Sequence, residues 1–452
     1  MLTMGTTTGD MLPDCIIHIL LSHLGYKEAA RMSILSKTWL RAWLTHPNLE
    51  FRVYDFKCVK IVDGILERYR VGEIPIEKFN FTISATLLEG LFMIDKWLGV
   101  ALQNGVKYVE FGCTDFLPSV LLDDSMLQTL LISCPMIVSF TIKHCIGLEK
   151  IELRNLQKIK MVSVHMDKEP PVEIQAPTLE QFFYCGLAEQ TLKLEMGACQ
   201  NLKSLKLSCV KVSDGFLEHL TSGCQFLESL MLDNIFSKEL KKFKVCRSQS
   251  LKKLEIRGCN GVAVIEAPNL ESLEYVGYQI PVLKTAKTFG PLKHSRMELY
   301  RLSNLNALWF CKLRKFLFNS NSLSHITLHF PNSIKIDMEN WDPYRGIFAI
   351  PQVDVLNVHL AWPLKCQIFV DVLLWSCHPR RLNLFSTVQI ITCFRNHLMR
   401  VNCSSPCTSQ GSKPWQCQLK DARVLEFYGQ DLSQKPVEHN ERSRICFSLD
   451  WK

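Results

Sequence analysis

The sequence predicts an α/β repeat protein, in which three short N-terminal helices precede a solenoid of stacked turns, each with one short strand. Three observations lead there. Residues 10–51 place apolar side chains at helical spacing, and from residue 137 apolar triplets recur at relative positions 0, +3 and +5. The 452 residues are 47% hydrophobic and 21% charged, the composition of an ordinary globular chain large enough for a small domain plus an extended one.

The helices come first. Pro13 suits the first turn of a helix, where its missing N–H costs nothing, and Ile16, Ile17, Leu20, Leu21 and Leu24 then share one face until Gly25 stops the run. A second helix is expected over Tyr26 to Ser33. The third runs from Ser36 to His46, with Ser36 as its cap, Trp39 and Trp43 stacked at i and i+4, and Pro47 beyond its end. A unit of this size with so much apolar surface needs a partner or a neighbouring domain to cover it.

The repeat follows. Its triplets are Ile137, Phe140, Ile142; Leu156, Ile159, Met161; Leu179, Phe182, Tyr184; Leu202, Leu205, Leu207; Leu227, Leu230, Leu232; Leu251, Leu254, Ile256; and Leu270, Leu273, Tyr275. Their leads lie 19 to 25 residues apart. A strand at each turn points residues +3 and +5 inward and +2, +4 and +6 to the other face, and because one turn cannot bury its own leucines, several must stack. Cysteines keep register with the leads: Cys134, Cys199 and Cys224 precede them, while Cys145, Cys209 and Cys259 follow, positions suited to small buried side chains that tie the turn. The segment Ala176 to Tyr184 is echoed by Ala267 to Tyr275, and Leu148, Ile151 and Leu153, half a turn from their neighbours, belong on the opposite side of the stack. Weaker triplets stand upstream at Ile76, Phe79, Phe81 and Val106, Val109, Phe111, and downstream at Leu323, Ile326, Leu328; Val353, Leu356, Val358; Pro379, Leu382, Leu384; and Ala422, Leu425, Phe427. Residues 276–322 fit the period badly, and with no Gly/Ser linker around them they are expected to form atypical repeats.

Residues 10–51 resemble an F-box. The family's opening Leu-Pro matches Leu12-Pro13, its first-helix aliphatics match Ile16, Ile19 and Leu20, its Ser-Lys-x-Trp matches Ser36, Lys37 and Trp39, and its Pro-x-Leu-x-Phe end matches Pro47, Leu49 and Phe51. Leu24-Gly25 departs from the Leu-Pro of many members, although glycine can make the same turn. The period after residue 137 is that of leucine-rich repeats, and the stretches 373–382 and 415–427 resemble the ends of plant F-box/leucine-rich-repeat proteins. The resemblance implies an F-box at 10–51 and a leucine-rich-repeat solenoid over 70–430, clearest at 134–280. It implies a non-catalytic substrate-recognition subunit of a Skp-cullin-F-box ubiquitin ligase, docking on the Skp adaptor through Leu12, Pro13, Ile16, Ile19, Leu20, Ser36, Lys37 and Trp39 while the repeats hold a target protein. Among outward strand positions, Lys158, Lys160, Phe183, Lys206, Met231, Lys253, Glu255 and Arg257 are the candidate target contacts. Two other readings stay open: a repeat scaffold with no ubiquitin role, and a small-molecule receptor using the repeat concavity.

Other functions find little support. A net charge of +8 is mild for this length, and the basic cluster Lys238 to Lys244 suits a solvated face better than a nucleic-acid stripe. No apolar run is long enough to span a bilayer, and no secretory signal is evident, so the expected setting is the reducing cytoplasm or nucleus, where 19 cysteines need no disulfides. Phosphate-cradling loops, nucleophile elbows and paired zinc-histidine motifs are absent, and no cofactor is expected. Cys403, Cys407 and Cys417 with His397 match no standard zinc spacing, and His378 before Pro379 suits a turn better than a catalytic base.

Overall fold

A computed structural model describes residues 12–84, 88–113, 124–133, 135–145, 147–154, 156–213, 215–236, 242–246, 249–259, 262–283, 292–300, 302, 304–320, 323–330, 335–337, 349–360, 366–399, 415–428 and 443–452. It divides into two compact units, 1–212 and 213–452.

The first unit opens with α1 (Asp14–Ser22), α2 (Tyr26–Met32) and α3 (Lys37–Leu44). Pro13 stands at the N-cap of α1, one position before the first turn where the sequence placed it. Seven strands then pair in parallel, in chain order: Asn48–Val53, Lys78–Ile83, Tyr108–Cys113, Ser139–Lys143, Met161–His165, Gln181–Cys185 and Ser204–Lys211. The early crossovers are helices, among them α4 (Phe56–Val71), capped by Asp55 accepting from the Cys58 N–H at 2.8 Å. The later crossovers carry a second, shorter parallel ladder, Ile151–Leu153, Val172–Ile174 and Leu194–Glu195, which puts Ile151 and Leu153 in a separate sheet as the half-turn spacing predicts.

Strand pairing begins before residue 70. Asn48–Val53, whose Leu49 and Phe51 were assigned to the end of the helical motif, is the first strand of the ladder, and His46, Leu49 and Phe51 repeat the 0, +3, +5 spacing. All three are buried, and the Tyr69 hydroxyl on α4 donates to the His46 carbonyl at 2.8 Å. The helices therefore run into the repeats without a linker.

One triplet was out of register. Val162 and Val164 pair beside Phe182 and Tyr184, so this turn is built on Ile159, Val162 and Val164, all fully buried, and not on Leu156, Ile159 and Met161. Leu156 is buried as well, and that made the two spacings indistinguishable in the sequence. The remaining +3 and +5 residues from Phe140 to Tyr275 face the core as expected.

Side chains between the strands tie one turn to the next. Cys199 Sγ donates to the Ile174 carbonyl and Cys259 Sγ to that of Leu232, each at 3.6 Å. A second tie was not anticipated: the polar residue just before a lead donates to the preceding turn, Thr178 to Ile159 at 2.9 Å, Asn201 to Pro177 at 2.8 Å, Ser250 to Leu227 at 2.9 Å and Asn269 to Gln249 at 2.6 Å. These bonds satisfy turn carbonyls that no helix or strand can reach. Cys145, Cys199, Cys224 and Cys259 are buried, Cys134 lies outside the described residues, and Cys417, against the expectation, is disulfide-bonded.

The second unit continues with parallel strands Ser229–Phe236, Lys253–Arg257, Ser272–Gly277, His294–Leu299, Leu323–His329, Gln352–His359 and His378–Ser386. A three-stranded outer ladder joins Lys242–Cys246, Val262–Glu266 and Val282–Leu283. Within the poorly periodic segment 276–322 the strand His294–Leu299 carries a register step. Ser295 and Met297 lie beside Leu273 and Tyr275, whereas Met297 and Leu299 lie beside Ile326 and Leu328. A two-residue slip keeps every side chain on its own face but breaks the count, and Ser295 stands where a leucine would have marked the turn. The helix Ala307–Asn319, capped by Asn306, fills the lengthened crossover.

Ala422, Leu425 and Phe427 do not make a further parallel turn. Their strand, Leu419–Tyr428, pairs antiparallel with Ser443–Trp451, which itself runs antiparallel to His378–Ser386, and Leu425 is exposed. His378 also differs from expectation: it begins a strand, buried, with its ring stacked on Trp451 at a centroid distance of 3.7 Å.

Two buried histidines make stability depend on pH. Burial, then the charge of His18, holds the His46 imidazole below its ordinary value; burial, then Arg314, brings His378 down to about 4. Unfolding returns both to about 6.5, so the unfolded chain binds more protons in between. The stabilisation is complete above pH 6.5 and is lost as pH falls through each folded value, which for His378 is about 4. At His378 alone the loss amounts to about 3 kcal/mol by pH 4, from about 1.4 kcal/mol per pH interval of the shift. Urea midpoints of the second unit's transition are expected to drop between pH 7.5 and 5, with a shallower drop in His378→Phe.

Candidate functional site

α1 has two unlike faces. Ile17 and Leu21 pack inward with Ala29, Trp39 and Ala42, joined by Leu24, Met32 and Trp43. Leu12, Ile16, Leu20 and above all Ile19, 53% exposed, point away from that core. An aliphatic surface left over after the helices have filled their own interior is the signature of a docking face. Lys37 is exposed at the start of α3, and Ser36 caps that helix by accepting from the Trp39 N–H at 3.4 Å.

Trp39 is a correction to the proposed contact set: only 4% exposed, it belongs to the core that supports the face. Three residues were overlooked, Ile34, which is 85% exposed, Leu35 and Leu40. Their signal was available, because none falls on the inward spacing that Ala29, Trp39 and Ala42 define.

On the ladder of the first unit, Glu110, Thr141, Ser163, Phe183 and Lys206 lie side by side in one outward row. Phe183 and Lys206 are thus neighbours, as expected. Lys158 and Lys160 are not strand residues at all, since the corrected register makes Met161, Ser163 and His165 the outward positions of that turn. Lys160 instead shares the Glu180 carboxylate with Lys203, at 3.4 and 3.0 Å. Ser163 Oγ and His165 Nε2 stand 3.0 Å apart.

In the second unit Met231, Glu255, Glu274 and Arg296 form the corresponding row. Glu255 is the least accessible of the proposed target contacts: Arg257 pairs with it directly, Lys253 stands 3.9 Å away, and Arg257 reaches across to Glu274 at 3.1 Å. The charges of this patch largely neutralise one another. Farther along, an unanticipated stack lines the same face, Tyr300 on His329 at 4.2 Å, His329 on His359 at 4.3 Å and His359 on Phe385 at 4.2 Å. Beside it Asn383 donates to Asn357 at 2.8 Å and Asn357 to Thr327 at 3.1 Å. The four rings sit 26 to 30 residues apart in the chain, so only strand pairing could bring them together.

Among the described residues no group of three or more His, Cys, Asp and Glu side chains could hold a metal ion, and no helix is long and apolar enough to cross a membrane. Cys403 and Cys407 lie outside the described residues, as does most of the basic cluster 238–244, while His397 Nε2 stands 2.9 Å from Asp371.

The F-box domain model matches residues 10–51, the segment that folds as α1 to α3 and enters the first strand. A second model, described as FBD-associated F-box protein At5g56370, LRR repeats, matches residues 184–288. The chain is similar to plant F-box/leucine-rich-repeat proteins. Three relatives from Arabidopsis thaliana are similar to it. The putative F-box/LRR-repeat protein At3g58880 is 23% identical over 96% of this chain and 89% of its own length. The putative F-box/LRR-repeat protein At3g18150 is 22% identical over 52% of this chain, and the putative F-box protein At3g58860 is 26% identical over 59%. The matched regions take in 63% and 50% of those two relatives' own lengths. The family indicates no enzyme: F-box/leucine-rich-repeat proteins are generally non-catalytic adaptors.

Proposed function

We propose that this F-box/leucine-rich-repeat protein is the substrate receptor of a Skp-cullin-F-box ubiquitin ligase, acting in the cytoplasm or nucleus. The observation that carries the proposal is the exposed aliphatic face of α1, lying over a helical core that is already filled. That face docks on the Skp adaptor through Leu12, Pro13, Ile16, Ile19, Leu20 and Lys37, with Ser36 and Trp39 holding α3 beneath it. The parallel turns stack as a leucine-rich-repeat solenoid that holds a target protein near the ubiquitin-charged enzyme elsewhere in the complex. The subunit contributes effective concentration, not bond chemistry. Because the F-box enters the first strand directly, the adaptor-binding helices and the first turns share one framework. Such a framework positions a target more tightly than a flexible tether could.

Outward residues of the ladder, Phe183, Lys206, Met231, Lys253, Glu255 and Arg257, are the proposed target contacts. Reversing all three charges at Lys253, Glu255 and Arg257 keeps their mutual pairing but sets a new carboxylate against Glu274. Proteins captured by the unaltered chain should then bind about tenfold more weakly, with adaptor binding unchanged, as read by quantitative pull-down. Full capture by the triple variant would move target binding off this part of the face.

A further inference from the structure

The second unit holds a cleft of about 470 Å³ on the side of the repeat that carries the crossover helix. One wall is the helix Ala307–Asn319, which presents Trp309, Lys312, Lys315 and Phe316 at one-turn spacing. The other is the stretch Tyr278 to Leu283, ending in the short strand Val282–Leu283. The volume falls within the range of binding clefts, and the lining has the usual apolar walls with a few polar groups.

Charge decides what fits there. Lys312 and Lys315 are exposed, and among the described residues no carboxylate lines the cleft and neither lysine has an ion-pair partner. Elsewhere on the molecule lysines commonly meet acids, as Lys252 meets Glu228 and Lys293 meets Glu271. Two unpaired cations over an apolar slot complement an occupant that is both acidic and apolar.

The wall of backbone decides its shape. Among the described residues Val282–Leu283 is the terminal strand of the outer ladder, paired only with Val262–Glu266. A strand at the end of a ladder can accept an extended chain beside it, with main-chain hydrogen bonds supplying affinity and the slot receiving alternate side chains.

We propose that this cleft anchors an extended acidic peptide segment of the target protein, with an apolar side chain against Trp309 and Phe316 and carboxylates at Lys312 and Lys315. The proposal rests on the substrate-receptor reading for the identity of the peptide's owner, but not for the chemistry of the cleft.

The test pans a random dodecamer library displayed on phage against the full chain and titrates the enriched peptides, labelled with fluorescein, by polarisation. Enriched sequences should combine an apolar residue with Asp or Glu. Their affinity should fall about tenfold in Lys312→Glu/Lys315→Glu, through the loss of complementary charge, with the thermal midpoint unmoved. Val282→Glu, altering an exposed residue of the other wall, should weaken the same peptides, and the triple reversal at Lys253, Glu255 and Arg257 should not. The proposal is overturned if no acidic bias emerges or if both cleft variants bind the peptides normally. It is equally overturned if a small aromatic acid such as 2-naphthoate binds at these lysines while no peptide does. Adaptor co-purification with the same proteins tests the ligase assignment separately. Its failure in the unaltered chain would remove that assignment and leave the peptide result standing.

Discussion

Ile16→Asp and Ile19→Asp, introduced together, are expected to abolish co-purification with a Skp adaptor while leaving the chain folded. Both side chains are exposed on the α1 face that turns away from Ile17, Leu21 and Trp39, so the substitutions touch no core contact and should change stability by less than about 0.5 kcal/mol. In the complex the same positions would be desolvated, and two unpaired carboxylates buried in an apolar interface cost several kcal/mol, a loss of about a hundredfold or more in affinity. Leu12→Ala with Pro13→Ala should act in the same direction more mildly, by removing surface without adding charge. The contrast with Trp39→Ala is informative: that change should also lose the adaptor, but by unfolding the helices. Circular dichroism and a denaturation midpoint distinguish the two. Undiminished binding in the double Asp variant would remove the F-box reading.

The second large effect is expected in the core of the ladder. Leu205, Leu230 and Leu254 occupy equivalent +3 positions, and each is fully buried. Leu→Ala at any one should cost about 2 to 5 kcal/mol, the transfer loss plus the cavity left between close-packed turns, whereas Lys206→Ala on the adjacent outward position should cost about 0.5 kcal/mol or less. Because the chain has two units, the comparison is of midpoints for the transition each substitution affects: Leu205 in the first, Leu230 and Leu254 in the second. The corrected register makes a finer forecast. Val162→Ala should cost more than Met161→Ala, although Met161 is the larger side chain, because Val162 is fully buried and Met161 only half so. The opposite order would restore the register first inferred from spacing.

The chain's periodicity by itself determined the three helices, the faces of most strands and the separate outer ladder near Ile151, because each depends on local spacing: 3.6 residues per turn for a helix, two for a strand and one repeat length for a stack. Tertiary structure decided what spacing leaves degenerate. Leu156 and Ile159 were equally apolar leads, and only pairing with Gln181–Cys185 chose between them. Ser295 hid a turn, since a stack held by its neighbours tolerates one small polar residue where a leucine belongs. The candidate sites were less legible than the fold for the same reason. That Trp39 faces inward while Ile19 faces out, and that Tyr300, His329, His359 and Phe385 share one stack, are facts about side chains far apart in sequence. A linear pattern records which residues are apolar or charged. Which of them the fold spends on its own core, and which it leaves for a partner, is settled only when the elements pack.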